Sequence, residues 1–184
     1  ILAGIVSQFA SSQRAAVHIS LSGVFLAVPI CCHAIYNVFR HGRFFAFSDW
    51  IFIDELSAWH LAVLLAVFTL SSLFAMVYFG EELRERKLSI QQAKTFAGLW
   101  SPAMAAMMLV LISNNLGIMW VGMEATTLLT SFLVCMRITR DSLEATWKYM
   151  LICSVGIGFA FLGTMLMRLA AKDLPLDPNQ ALLW

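Results

Sequence analysis

Charge is scarce in this sequence: 12% of its 184 residues are Asp, Glu, Lys or Arg, against 60% hydrophobic, and mean hydropathy is +0.80. A soluble domain carries about 25% charged and about 45–50% apolar residues, so a water-solvated globule is excluded. The chain reads instead as an integral membrane protein of the all-α class. The net charge of +1 says little in total, because in membranes the placement of Lys and Arg matters, and nucleic acid is not among the expected partners. Cysteine is scarce as well. Cys31, Cys32, Cys135 and Cys153 all lie in apolar runs and form neither a CxxC pair nor a Cys/His set at zinc spacing, so they read as small buried hydrophobes. His18, His33, His41 and His60 are scattered, and neither a metal nor a cofactor is expected. The chain lacks an initial Met, and residues 1 to 10 lack a charged leader. It is therefore expected to start inside a span, with polypeptide missing in front.

What the sequence has is long apolar runs. They occupy about residues 1–11, 18–39, 56–79, 96–112, 115–136 and 144–167, which predicts a single membrane domain over residues 1–184, a polytopic transmembrane helix bundle of about six spans. Pro29 predicts a kink in the second span, tolerable because neighbouring helices satisfy the freed carbonyl. Pro102 falls near the start of the fourth, where a missing N–H costs least. Between spans two and three, FAFSDWIFI alternates like a short strand or interfacial segment, with Trp50 at headgroup level. The charged stretch GEELRERKLSIQQAK reads as a solvated loop or surface helix. Only Ser113, Asn114 and Asn115 separate spans four and five, a link that forces an antiparallel pair. Asp141 or Ser142 is the expected N-cap of the sixth span, whose Cys153, Gly156, Ala160 and Gly163 form a small-residue face. The tail AKDLPLDPNQALLW is proline-bearing and amphipathic.

Seven cations, Arg14, Arg84, Arg86, Lys87, Lys94, Arg137 and Arg140, fall in links at one end of the bundle. Four, Arg40, Arg43, Arg168 and Lys172, fall at the other, so the seven-cation end is expected in the cytoplasm.

Glu124 is the residue with the clearest chemical meaning. A rise of about 1.5 Å per residue puts it roughly 14 Å from the Asn115 end of its span, near the centre of a hydrocarbon core about 30 Å thick. An ionised carboxylate there costs upwards of ~3 kcal/mol, so it is expected to face protein or a wet cavity and to serve an ion or proton pathway. The rival reading is a permanent structural ion pair or a neutral buried acid. At helical spacing Gly117, Trp120, Glu124, Thr127 and Ser131 share one stripe, which gives the acid small and hydroxyl-bearing neighbours. Lys148, one turn into the sixth span, reads from position alone as a lysine snorkelling to headgroup phosphates. Asp54 and Glu55 open the third span, where the helix dipole favours acids whatever their function. His60, one turn further, suits either a proton shuttle or a satisfied polar side chain.

SNNLGIMWVGMEATTLLTSFLV followed by SLEATWKYMLICSVGIGFAFLGTMLM resembles the antiporter-like membrane subunits of respiratory complex I, Mrp-type cation/proton antiporters and membrane-bound hydrogenases, with most likeness to the hydrogenase 4 component F branch. IDELS fits that family's Asp-x-Leu-Ser element, and the resemblance covers roughly residues 51 to 168. It implies that Glu124 is a proton-pathway acid and that Lys148 belongs to the same half-channel. Complete family members have about fourteen spans in two inverted repeats, so this chain would be the N-terminal part of that fold. The lysine on the broken helix that partners the glutamate would then lie beyond residue 184. The function implied is proton translocation in a bacterial or archaeal cytoplasmic (inner) membrane. The expected partners are other membrane subunits, the lipid bilayer and, in the whole assembly, a soluble redox arm. A structural scaffold subunit, a cation/proton antiporter and an inorganic-carbon uptake subunit are the alternatives.

Overall fold

Helix starts along this chain are set by polar residues just ahead of each apolar run. The computed structural model describes residues 1–47, 49–86, 88–173 and 183, so Lys87 and most of the tail from residue 174 lie outside the described residues. The helices are α1 (Leu2–Gln8), α2 (Gln13–His41), α3 (Glu55–Arg84), α4 (Ile90–Ile112), α5 (Leu116–Val134) and α6 (Arg140–Ala170). Ser12 caps α2 by accepting the Ala15 N–H at 3.2 Å, and Asp54 caps α3 by accepting that of Ser57 at 2.7 Å. Ser89 and Gln92 form a capping box, which starts α4 six residues before the expected 96. Asn115 Oδ1 accepts from Gly117 and Ile118 at 2.9 and 3.2 Å and starts α5. For α6 the N-cap is Thr139, and neither Asp141 nor Ser142 holds that position. Thr139 has the extended backbone a cap needs, and Ser142 closes the box from the third helical position.

Five of the helices, α2 to α6, are long and apolar enough to cross a membrane. The first is not: α1 has seven residues and lies in a notch against α2 and α4. A Cβ on Gly23 would come 2.4 Å from that of Ala3, and one on Gly4 would come 3.0 Å from Pro102, so glycine is what lets the backbones meet there. α2 runs on through Pro29. The stretch expected as a short strand or interfacial segment is a hairpin of β1 (Phe44–Ala46) and β2 (Ile51–Ile53), antiparallel with Phe45 opposite Phe52. Its turn holds Phe47 and Asp49 at φ 52° and 67°.

The core lies between α2, α3 and α4. Buried residues of α3 recur every three or four positions, from Ala58 and Leu61 through Ser72 and Phe79 to Glu82, a helical stripe facing inward. Ser20 of α2 and Ser101 of α4 share a buried hydroxyl contact at 2.9 Å, and Ser20 also donates to the Ala97 carbonyl at 2.8 Å. Such pairs are how polar groups are satisfied between membrane helices. α5 lies against α4 through Gly122, where an added Cβ would come 2.8 Å from Val110 Cγ2. Gly122→Leu should therefore push α4 and α5 apart at a cost of about 1–3 kcal/mol. A thermal midpoint equal to wild type in the purified assembly would refute this close approach. α6 packs along α5 and has no buried residue.

Candidate functional site

Glu124 occupies the middle of the 19-residue α5 and is half-buried. Steps of about 100° per residue place it roughly 200° around the helix from Gly122, so it points away from α4. One turn before it, Trp120 donates its indole N–H to the Ile157 carbonyl of α6 at 3.0 Å and packs 4.7 Å from the Phe161 ring. One turn after it, Thr127 donates to the Met123 carbonyl at 3.1 Å, and fully buried Ser131 donates to that of Leu128 at 2.7 Å. The hydroxyls of the stripe thus spend their protons on their own backbone. Among the described residues, nothing pairs with or donates to the Glu124 carboxyl. On the same side of the helix, at i−3, i+4 and i+8 from Glu124, Val121, Leu128 and Phe132 are exposed.

His60 joins two cavities. The larger, about 740 Å³, lies between α3, α4, α5 and α6, and its lining is apolar except at His60, Thr126, Thr127 and Cys153. The smaller, about 230 Å³, lies beside the hairpin and holds Asp54, Ser57, His60 and Ser113. His60 Nδ1 sits 2.8 Å from the Leu56 carbonyl, so in the neutral ring Nδ1 carries the proton and Nε2 remains an acceptor. The structure therefore brings His60 together with Thr127 in one cavity and with Asp54 in the next. Glu124 and Ser131 line neither. Asp54 is held below the usual carboxylate range, chiefly by the Ser57 backbone N–H it caps. Lys148 is exposed, and its ammonium is 2.5 Å from Glu144, one turn back on α6. It thus has a counterion of its own.

The sequence reading missed one tie. Glu82, within the stretch expected to be solvated, is 8% exposed and is bound by Arg137 of the α5–α6 link. The reason is register: Glu82 follows Phe79 by three residues on the inward stripe of α3, and this spacing was visible in the sequence. The carboxylate pushes the Arg137 guanidinium further up, and Tyr78, one turn back on α3, faces the same carboxylate. No group of three or more His, Cys, Asp or Glu suited to a metal exists among the described residues.

Five apolar helices, one of them carrying a half-buried mid-helix acid that is unpaired among the described residues, define an integral membrane protein with a polytopic all-α bundle. Known proteins narrow the class to the relatives anticipated from residues 51 to 168. No protein-family model matches the chain. It is 31% identical over 137 residues to a hydrogenase-4 component F homolog of Methylacidiphilum infernorum, covering 74% of this chain and 29% of that protein. It is 26% identical over 160 residues to NADH-quinone oxidoreductase subunit N of Campylobacter lari, covering 87% and 32%. The fold matches a chain of the membrane-bound sulfane sulfur reductase, an archaeal respiratory membrane complex, with a TM-score of 0.67 at 18% identity. That match covers 92% of this chain and 34% of the other. The chain thus spans about a third of the length of these relatives.

Proposed function

We propose that this chain is part of a proton-translocating, antiporter-like subunit of a membrane-bound respiratory oxidoreductase, with Glu124 as its relay acid. The carrying observation is the Glu124 carboxyl, central in a membrane helix and without an ion partner among the described residues. A scaffold helix has no use for such a group, because burying an unpaired acid only costs stability. The likeness to hydrogenase-4 component F and to subunit N supports an assembly with other membrane subunits and a soluble redox arm. His60, with its free Nε2 between two cavities, supports a side path from the hairpin end toward Thr127. The test is purification of the intact assembly, identification of its subunits by mass, and reconstitution into sealed vesicles. Electron delivery should drive proton movement across the vesicle membrane, and redox turnover without proton movement would leave only the scaffold reading.

Lys148 enters as a secondary cation. Pairing with Glu144 neutralises much of its field, so Lys148→Ala should slow proton transfer by no more than about tenfold, one pKa unit of influence on a distant acid. A larger loss in the vesicle assay would show direct participation. Orientation is tested by single cysteines at Glu85 and Phe44 in a background lacking the four native cysteines. Glu85→Cys should react with a membrane-impermeant reagent from the cytoplasmic side and Phe44→Cys from the other. Reversed labelling would invert the topology.

A further inference from the structure

The hairpin end of the bundle opens into a groove that the relay does not use. It runs between α2 and α3, has a volume of about 730 Å³ and is lined chiefly by Val28, Tyr36 and Phe39 of α2 and by Ala62, Ala66 and Leu70 of α3. Its origin is local. Ala62 and Ala66 stand one turn apart and offer only methyl groups, so the rings of Tyr36 and Phe39 across the groove stay more than half exposed. Val28 and Phe39 are eleven residues apart. That is roughly 16 Å along the helix, against about 15 Å of hydrocarbon in one leaflet. The groove therefore has the length of a single leaflet.

A cation stands at its mouth. Arg40, in the last turn of α2, donates its Nε–H to the Tyr36 hydroxyl at 3.0 Å and lies 5.5 Å from the centre of that ring. A guanidinium has five N–H donors, so both terminal nitrogens remain free to donate. Asp54 caps α3 and Glu55 follows it in the same first turn, and among the described residues no carboxylate forms an ion pair with Arg40. We propose that the groove binds a membrane phospholipid, with one acyl chain between α2 and α3 and the phosphate on the Arg40 guanidinium. The planar fork matches phosphate oxygens two at a time, and Tyr36 already orients it, so little freedom is lost on binding. In a bilayer the apolar groove offers no hydrophobic gain over neighbouring lipid. The Arg40 contact therefore decides how long the lipid stays, and the groove decides which atoms its chain touches. The site requires only that the chain spans a membrane, and it stands apart from the relay reading.

The test uses phosphatidylglycerol with a diazirine midway along one acyl chain, added in trace amount to the intact assembly in detergent, illuminated, and mapped by peptide mass spectrometry. Label should concentrate near Cys32 and Ala66 in the groove, above the exposed α6 face at Ile152 and Phe159. Arg40→Ala should cut the groove label about tenfold, the lower end of what a hydrogen bond to a charged group contributes, and leave the α6 label unchanged. Arg40 is exposed, so this variant should assemble. Should it not, Ala66→Phe, also at an exposed position, fills the groove and must remove the groove label alone. Equal labelling of groove and α6 would mean an ordinary lipid-facing surface, and an unlabelled groove would mean that another helix occupies it. Either result overturns the site. A groove label that survives Arg40→Ala, or one that survives Ala66→Phe, would overturn the proposed binding.

Discussion

Glu124→Gln is expected to leave the subunit assembled and to cut proton uptake by roughly 100-fold, the smaller end of what losing a positioned proton carrier costs. The amide keeps the size and shape of the side chain, so the stripe of Trp120, Thr127 and Ser131 can pack as before. Only the capacity to take and give up a proton is lost. No ion pair is broken by the change, because none involves Glu124 among the described residues. Assembly should therefore not suffer, and slight stabilisation is expected from removing a half-buried acid without an ion partner among the described residues. Proton uptake by reconstituted vesicles measures the first effect, and subunit yield in membranes measures the second. Normal uptake would remove Glu124 from the pathway, and failed assembly would mean that the acid holds the bundle together.

Arg137→Ala is expected to have the opposite signature, with poor assembly as the primary defect. It strips the cation from a carboxylate that is 8% exposed. Removing one partner of a fully buried pair costs about 3–5 kcal/mol, and the Arg137 side chain is itself 44% exposed, which lowers the figure to about 2 kcal/mol. A second change, Glu82→Leu, should restore subunit yield by removing the stranded charge. Equal yields for the single and double variants would show that the pair is structurally neutral.

The apolar runs made the five long helices legible because membrane helices must satisfy their backbones internally, and length with hydropathy then suffices to find them. Boundaries were less legible. α3 runs five residues past the expected 79 and α4 begins six before 96, because polar residues continue a helix once a capping box or a buried face supports it. The stretch expected as a short strand or interfacial segment forms two strands because Phe47 and Asp49 take up the left-handed backbone of a tight turn, for which FAFSDWIFI gives no glycine signal. At the candidate site, the Trp120, Glu124, Thr127 and Ser131 stripe could be read directly from spacing. The cavity uniting His60 with Thr127 could not, since it depends on how α3 and α6 stand around α4 and α5. Glu82 stood on a readable stripe, but its partner Arg137 lies 55 residues away and only packing reveals it.

The hairpin turn has a consequence for biosynthesis. Asn114 donates its side-chain amide to the Asp49 carbonyl at 2.6 Å and its backbone N–H to that of Trp50 at 2.9 Å. The donor leaves the ribosome 65 residues after the first acceptor. At about 5–20 residues per second, roughly 3–13 s separate synthesis of the turn carbonyls from that of Asn114, by which point α4 has been made. The hairpin end of the subunit is thus sealed late, by the tripeptide link that turns the chain back into the membrane.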